Sequence, residues 1–295
     1  MRILVAFFVL MAVSCKPQGK DLNVLFSFPE HNSEVSGLVY DAQHKWFFAL
    51  EDKGNPAELY VFDAQGVPVK TLKVADTENT DWEDLATDRQ NNLYIGNFGN
   101  NANKRKDLAI YKIEADEKEQ TAEVRIAQTT TFEYPEQTKF PPAKKELFYD
   151  CEAFIATEDA FYLFTKNRSK GFDGSFYIYK VPNRAGHFKA QRVQTLKTCS
   201  NYRECAVTGA ALSPDGKRIV LLTHTRLFLL PFPEKDVFSQ NDISMVELHH
   251  NSQKEAVTFL DEMTLFIADE KEKGSTEGGK VYRFLLPRNE SPNQN

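Results

Sequence analysis

Residues 81–99, DWEDLATDRQNNLYIGNFG, contain an acidic approach, a short apolar run, a polar turn and a second apolar run that ends at Asn97. Two short apolar runs joined by a polar turn read as a β-hairpin. The unit recurs with drift in four other places. Aligned on their first four residues, the copies begin Ser36-Gly37-Leu38-Val39, Glu83-Asp84-Leu85-Ala86, Glu152-Ala153-Phe154-Ile155, Thr208-Gly209-Ala210-Ala211 and Glu255-Ala256-Val257-Thr258. Each is followed by a turn (DAQHK, DRQNN, TED, SPDGK, LDEM) and then by a strongly apolar segment: WFFAL, LYIGN, FYLFT, IVLLT or LFIAD.

A third strand follows in every copy (ELYVFD, LAIYKI, SFYIYKV, RLFLLPF, KVYRFLL). The first four copies add a more polar fourth, at PVKTLKV, EVRIAQTTTFEY, FKAQRVQTLK and ISMVEL. Four strands repeated at a period of this length mark the blade of a β-propeller. Successive markers at 36, 83, 152, 208 and 255 lie 47, 69, 56 and 47 residues apart, and the long interval contains an expected inserted loop over 136–149, EQTKFPPAKKELFY. The fifth copy lacks a fourth strand, whereas 23–28, NVLFSF, supplies a spare one ahead of the first. Pairing the two would close the ring and remove a sheet edge. The expected fold is therefore all-β: a single propeller of five four-stranded blades over 23–288, closed by its N-terminal strand and almost free of helix. The rival, six blades, needs strands that the sequence does not offer.

With 295 residues, 41% of them hydrophobic and 12% aromatic, the chain is long enough for one large all-β core. The net charge of −6 is modest, and Lys104-Arg105-Lys106 and Lys144-Lys145 lie beside acids in loop sequence, so they read as solvated loop charge and not as a nucleic-acid surface. Residues 1–15, MRILVAFFVLMAVSC, have the early Arg and short apolar run of a secretory signal. The segment ends in Ala12-Val13-Ser14-Cys15, which resembles the lipobox of bacterial lipoproteins, in which the Cys is acylated. The expectation is an exported, lipid-anchored monomer of the cell envelope, placed in the outer membrane, with 16–22 as a short polar tether that holds the propeller near the bilayer and 289–295 as a disordered tail. Export implies an oxidising compartment, in which Cys199 and Cys205 are the expected disulfide and Cys151–Cys205 the alternative pairing. No paired C-x-x-C spacing suggests a metal.

The innermost strand of each blade lines the central channel, and the second strand returns to the same mouth. Strand starts supply Ser36, Glu83, Glu152, Thr208 and Glu255. Second-strand ends supply Glu51, Asn97, Thr165, Thr223 and Asp269, followed by Asp52, Lys166, His224 and Glu270, while Asp81 and Asp150 enrich the same rim. Converging carboxylates repel and lose hydration, so they need a cation, protonation, or partners such as Lys53, Lys166, Arg168, Lys254 and Lys271. The candidate ligand-binding residues are Glu83, Glu152, Glu255, Asn97, Asp269, Lys166 and His224. Glu83, Glu152 and Glu255 are the candidate ligands of a divalent ion, with Ca2+ expected because hard cations take several oxygen ligands. Against this stands a water-filled acidic channel with rim salt bridges and no ligand. The chain has no G-x-S-x-G motif for nucleophilic catalysis.

VSGLVYDAQHKWFFALEDKGNPAELYVFD resembles the opening blade of the SdiA-regulated propeller family, and DWEDLATD…NLYIGNFGNNANKRKDLAIYKI and DCEAFIAT…FYLFTKN are similar to bacterial propeller lipoproteins related to the esterase-like phytase group. The likeness covers most of 34–285 and implies the propeller fold. A remoter likeness to regucalcin-like lactonases implies a divalent cation on residues of the types of Glu83, Glu152, Asn97 and Asp269. The function expected is binding of a small molecule or protein partner at the acidic channel mouth. The alternative is a divalent-cation-dependent hydrolase acting as a lactonase, phosphoesterase or esterase-like enzyme.

Overall fold

A computed structural model of the chain describes residues 22–113, 122–271 and 278–287. The expected signal segment with Cys15, the expected tether up to residue 21 and the expected tail at 289–295 lie outside the described residues. The fold is a five-bladed β-propeller. Blade I comprises Val35–Asp41, Trp46–Glu51, Glu58–Asp63 and Pro68–Val74. Blade II comprises Asp84–Thr87, Leu93–Asn97, Leu108–Ile113 and Gln128–Glu133. Blade III follows with Asp150–Ala156, Ala160–Lys166, Ser175–Pro182 and Gln191–Lys197. Blade IV has Gly209–Leu212, Arg218–Leu222, Arg226–Pro231 and Ser244–Glu247. Blade V has Lys254–Phe259, Thr264–Asp269 and Lys280–Leu285, with Asn23–Ser27 as its outermost strand, so the expected closure is present. The only helices among the described residues are the single turn Tyr202–Cys205 and the 3-10 turn Gln240–Asp242.

Blade II's predicted fourth strand, 123–134, is two strands. Glu123–Val124 pairs in parallel with Lys73 and Val74 on the outer edge of blade I, and only Gln128–Glu133 joins blade II. The stretch at 186–197 divides likewise: Gly186–Lys189 pairs in parallel with Thr130–Glu133 of blade II, and Gln191–Lys197 belongs to blade III. Each segment thus covers the exposed edge of the preceding blade before entering its own, which removes a template for edge-to-edge association.

Aromatic rings fill the spaces between blades. Phe26, Phe28, Phe47 and Phe62 close blade V against blade I, with Phe26 and Phe47 5.3 Å apart. Tyr94, Phe98, Phe154 and Phe161 join blades II and III. Cys199 and Cys205 form the disulfide, stapling the link into blade IV, while Cys151 is buried and free.

The five inner strands pack in a ring, each on the next. Close approach at the axis requires small residues: a Cβ on Gly37 would lie 2.8 Å from the backbone N of Leu85, and one on Gly209 2.9 Å from the backbone O of Glu255. Gly37, Ala153, Gly209 and Ala256 share one layer of the repeat, and blade II places Asp84 in it. The Asp84 side chain is fully buried; it accepts from Leu85 N at 2.8 Å and Phe154 N at 3.1 Å, and also from the backbone of Ala210. One carboxylate thereby ties blades II, III and IV together across the space that the small residues leave. Beneath it the channel narrows to a cavity of about 30 Å3 lined by apolar inner-strand residues including Val39, Leu85 and Phe154.

Candidate functional site: an acidic channel mouth

The polar marker residues of three inner strands sit on irregularities in the ladder. Register shifts fall between Val35 and Gly37, Cys151 and Ala153, and Lys254 and Ala256, so Ser36, Glu152 and Glu255 are the extra residues. A bulge re-aims the side chain it carries, which is how a strand whose neighbouring residues pack in the core delivers a carboxylate to the mouth. In blade II the strand begins one residue later, and Glu83 is held by its N–H to Gly96 O at 3.0 Å.

Two groups of carboxylates result, and Glu83 belongs to both. Asp52, Asp81 and Glu83 bring one oxygen each within 4.8 Å of one another, as do Glu83, Asp150 and Glu152. The second group carries its own cations: Lys166 Nζ lies 3.0 Å from Glu152 Oε2, Arg168 Nη2 lies 2.6 Å from Glu152 Oε1, and Arg168 Nε pairs with Asp150. The first group is less well matched. Lys53 Nζ and Arg105 Nη1 stand 3.5 and 3.9 Å from Asp81 Oδ2 only. Glu83 Oε1 and Asp81 Oδ1 are buried without a hydrogen-bond partner. Gly99 leaves them room, since a Cβ there would lie 2.0 Å from Glu83 Oε1 and 2.7 Å from Asp81 Cγ.

Local structure fixes these positions. Trp82, fully buried between blades I and II, separates Asp81 from Glu83, and its backbone N–H donates to Asn79 Oδ1 at 2.9 Å. Asn79 Nδ2 donates to the carbonyls of Glu51 and Asp52 at 2.9 and 3.0 Å, clamping the end of blade I beside the approach to blade II. Asn97, on the second strand of blade II, accepts from Asp81 N at 3.2 Å and donates to Tyr111 Oη at 3.0 Å, which orients the Asp81 backbone.

Of the candidate metal ligands, Glu83 and Glu152 share a group, whereas Glu255 lies in neither and pairs with His224 Nε2 at 3.4 Å. Asp269 accepts from Lys280 N at 2.8 Å and Tyr282 Oη at 2.7 Å. Lys254 is buried and donates to the carbonyls of His224 and His250 and to Ser252 Oγ, at 2.9–3.1 Å. Lys271 reaches Glu30 at 3.9 Å, away from the triads. Arg105 is not the solvated loop charge that its place between Lys104 and Lys106 predicts: its side chain is only 13% exposed, and Nη1 donates to Gly99 O at 2.8 Å. The usable sign was its position six residues after Gly99, within the loop that leaves blade II at the mouth.

The titration behaviour follows from this packing. Burial, and then the charges of Glu152, Asp52, Asp150 and Asp81, push the Glu83 carboxyl well above the usual carboxylate range. Burial and neighbouring acids raise Asp52 to about 6 and Glu270 to about 7. Burial and Glu152 raise Asp150 to about 8 against the pull of Arg168. Burial also opposes ionisation of Glu152, but Lys166 and Arg168 outweigh it and hold that carboxyl at about 2. The raised groups keep protons in the folded state that the unfolded chain has already released, so they stabilise the fold below about pH 4 and that contribution is lost as pH rises through about 6 to 8. Glu152 acts in the opposite sense, its contribution being lost only as pH falls through about 2. Thermal melts in a chelator are therefore expected to show a falling melting temperature from pH 5 to 8; a flat or rising trend contradicts this electrostatic reading.

No family model matches the chain, and no curated protein does. In structure the chain is similar to the β-propeller domain of Cps50 (Swd1) from Myceliophteria thermophila, at 9% identity over 90% of this chain and 100% of that one with a TM-score of 0.46. It is similar also to a chain of the nidogen–laminin complex, at 11% identity over 81% and 73% with a TM-score of 0.45. A third such structure is a gluconolactonase from Xanthomonas campestris, at 13% identity over 90% and 89% with a TM-score of 0.46.

Proposed function

We propose that the chain is an exported, lipid-anchored propeller that holds a hard divalent cation, Ca2+ being the expected ion, at Asp52, Asp81 and Glu83, and that it takes up a small oxygen-rich ligand or partner at this mouth. The observation that carries the reading is the pair of buried carboxylate oxygens, Glu83 Oε1 and Asp81 Oδ1, that have no partner and share a space kept open by Gly99. Carboxylate oxygens in such a place need a cation or a proton, and a cluster of hard oxygens suits Ca2+. Such an ion supplies Lewis-acid attraction for a ligand oxygen. Lys166 and Arg168 occupy the neighbouring group, so the expected stoichiometry is one ion per chain and not two. The sequence resemblance to SdiA-regulated propellers belongs to the same proposal.

Calorimetric titration of Ca2+ into chelator-treated protein checks it. Binding should occur at one site in the wild type and be lost in Glu83→Gln and Asp81→Asn; no heat in the wild type would sink the metal centre. A turnover screen of the Ca2+-loaded protein against lactones, phosphoesters and glycosides decides between a binding protein and a cation-dependent hydrolase. The anchor is supported by the Ala12-Val13-Ser14-Cys15 segment, and the Cys199–Cys205 disulfide suits the oxidising compartment that export implies. Cys15→Ser is expected to move the protein from the membrane fraction to the soluble one, and persistence in the membrane fraction contradicts the anchor.

A further inference from the structure

The two faces of the propeller differ in a way that the acidic mouth does not account for. Inner-strand starts and second-strand ends define the acidic face. The opposite, lower face carries the turns between first and second strands and between third and fourth. Among the described residues nine large hydrophobic side chains are exposed. Only Phe140 and Tyr202 belong to loops of the acidic face, and the Phe140 ring is covered by Lys106 Nζ at 4.5 Å. The rest lie at or toward the lower face. Val67 is in the turn before the outer strand of blade I and Val69 is that strand's second residue; they are 57% and 43% exposed. Val24 and Leu25, 55% and 39% exposed, begin the closing strand of blade V, and Leu285, 45% exposed, ends the strand beside it. Val237 and Met245 lie on the same side of blade IV.

The blade V and blade I members are neighbours. A Cβ on Gly66 would lie 2.3 Å from the Phe26 ring, so the turn bearing Val67 abuts the strand bearing Leu25. Asn23 pairs with Arg283, which brings Leu285 beside the point where the described chain begins. Trp46 starts the second strand of blade I at the same rim, half-buried, with Lys70 Nζ 5.2 Å above its ring. Clustered exposed aliphatic side chains mark contact surfaces, and an aromatic ring beside an ammonium suits a headgroup boundary.

We propose that this rim, Val24, Leu25, Val67, Val69 and Leu285, rests on the lipid bilayer that holds the acylated Cys15, with the acidic mouth turned away from the membrane. The proposal rests on the anchor put forward above. The occupant is argued from chain length: Leu22 is seven positions after Cys15, and a chain of that length spans at most about 25 Å. The described chain enters at the lower face beside the exposed aliphatic residues, so a lipid at Cys15 brings that face, and not the mouth, to the bilayer. The few side chains then add buried apolar contact to whatever the acyl group inserts, a contribution that matters most where one acyl chain alone would hold only marginally.

The test uses the full acylated chain in vesicles of phosphatidylethanolamine with phosphatidylglycerol. Spin labels are placed at Leu25→Cys and Val67→Cys on the lower rim and at Lys104→Cys on the acidic face; Cys151 is buried and the other two cysteines are bonded. The expected result is high oxygen and low nickel-chelate accessibility at positions 25 and 67, and the reverse at 104. Rim labels that stay open to the chelate while the protein floats with the vesicles overturn the docking and leave the anchor standing. Failure to float overturns both. Labels that are shielded in vesicle-free Cys15→Ser protein sedimenting as a dimer assign the rim to a second copy and overturn the proposal as well.

Discussion

Asp84→Ala is expected to lower the melting temperature by roughly 6–12 °C, although the residue touches no part of the acidic mouth that a ligand would reach. Its carboxylate accepts from the backbones of Leu85, Phe154 and Ala210 at the axis. Alanine leaves three buried N–H groups unpaired, each costing about 1–3 kcal/mol, and widens the cavity below. Burial lifts the Asp84 carboxyl well above its ordinary range, so removing the acid recovers part of that cost. A net loss of about 3 kcal/mol remains, and a domain of this size loses about 2–4 °C per kcal/mol. Asp84→Asn should fall between the two, because one amide oxygen still accepts while its NH2 group meets another donor. Differential scanning calorimetry checks the order wild type, Asn, Ala; an alanine variant as stable as the wild type would show that the inner strands close without the carboxylate.

Asp84 also marks the limit of what the sequence discloses. Repetition makes the blades legible: five copies of an apolar run, a polar turn and a second apolar run leave few folds open, and the missing strand after Leu286 points directly at 23–28. Converging acids are legible too, since Glu83, Glu152 and Glu255 occupy equivalent repeat positions. The consequences of three-dimensional closure are not. In the aligned copies Asp84 looks like one polar deviation among Gly37, Ala153, Gly209 and Ala256, and only the ring of inner strands shows that it faces across the axis. The bulges at Ser36, Glu152 and Glu255 add a residue that no one-dimensional pattern separates from ordinary drift. Arg105 is hidden by its neighbours Lys104 and Lys106, which are exposed; a charge run gives no sign of which member turns inward. The edge-covering strands at 123–124 and 186–189 read as parts of longer strands because their pairing is with the preceding blade.

Millimolar Ca2+ is expected to raise the melting temperature of the chelator-treated protein by roughly 5–10 °C. A ligand that binds only the native state adds about 2.7 kcal/mol at a hundredfold excess over its dissociation constant, and the conversion to temperature is the one used for Asp84. Glu83→Gln should abolish the increment. It should also leave the metal-free protein no less stable, because the wild-type carboxyl is buried beside Glu152, Asp52, Asp150 and Asp81 and gains nothing from ionising there. That combination separates a ligand from a structural acid such as Asp84, whose replacement is destabilising with or without the ion. Gly99→Ala is the steric counterpart: its Cβ would meet Glu83 Oε1 at 2.0 Å, so the increment should vanish while every carboxylate remains. Loss in both variants, with retention in Glu255→Gln, places the ion at Asp52, Asp81 and Glu83 and away from the His224 side of the mouth. A wild-type melting curve that Ca2+ does not move removes the metal centre and leaves the unpartnered oxygens of Asp81 and Glu83 as acceptors for a cationic ligand.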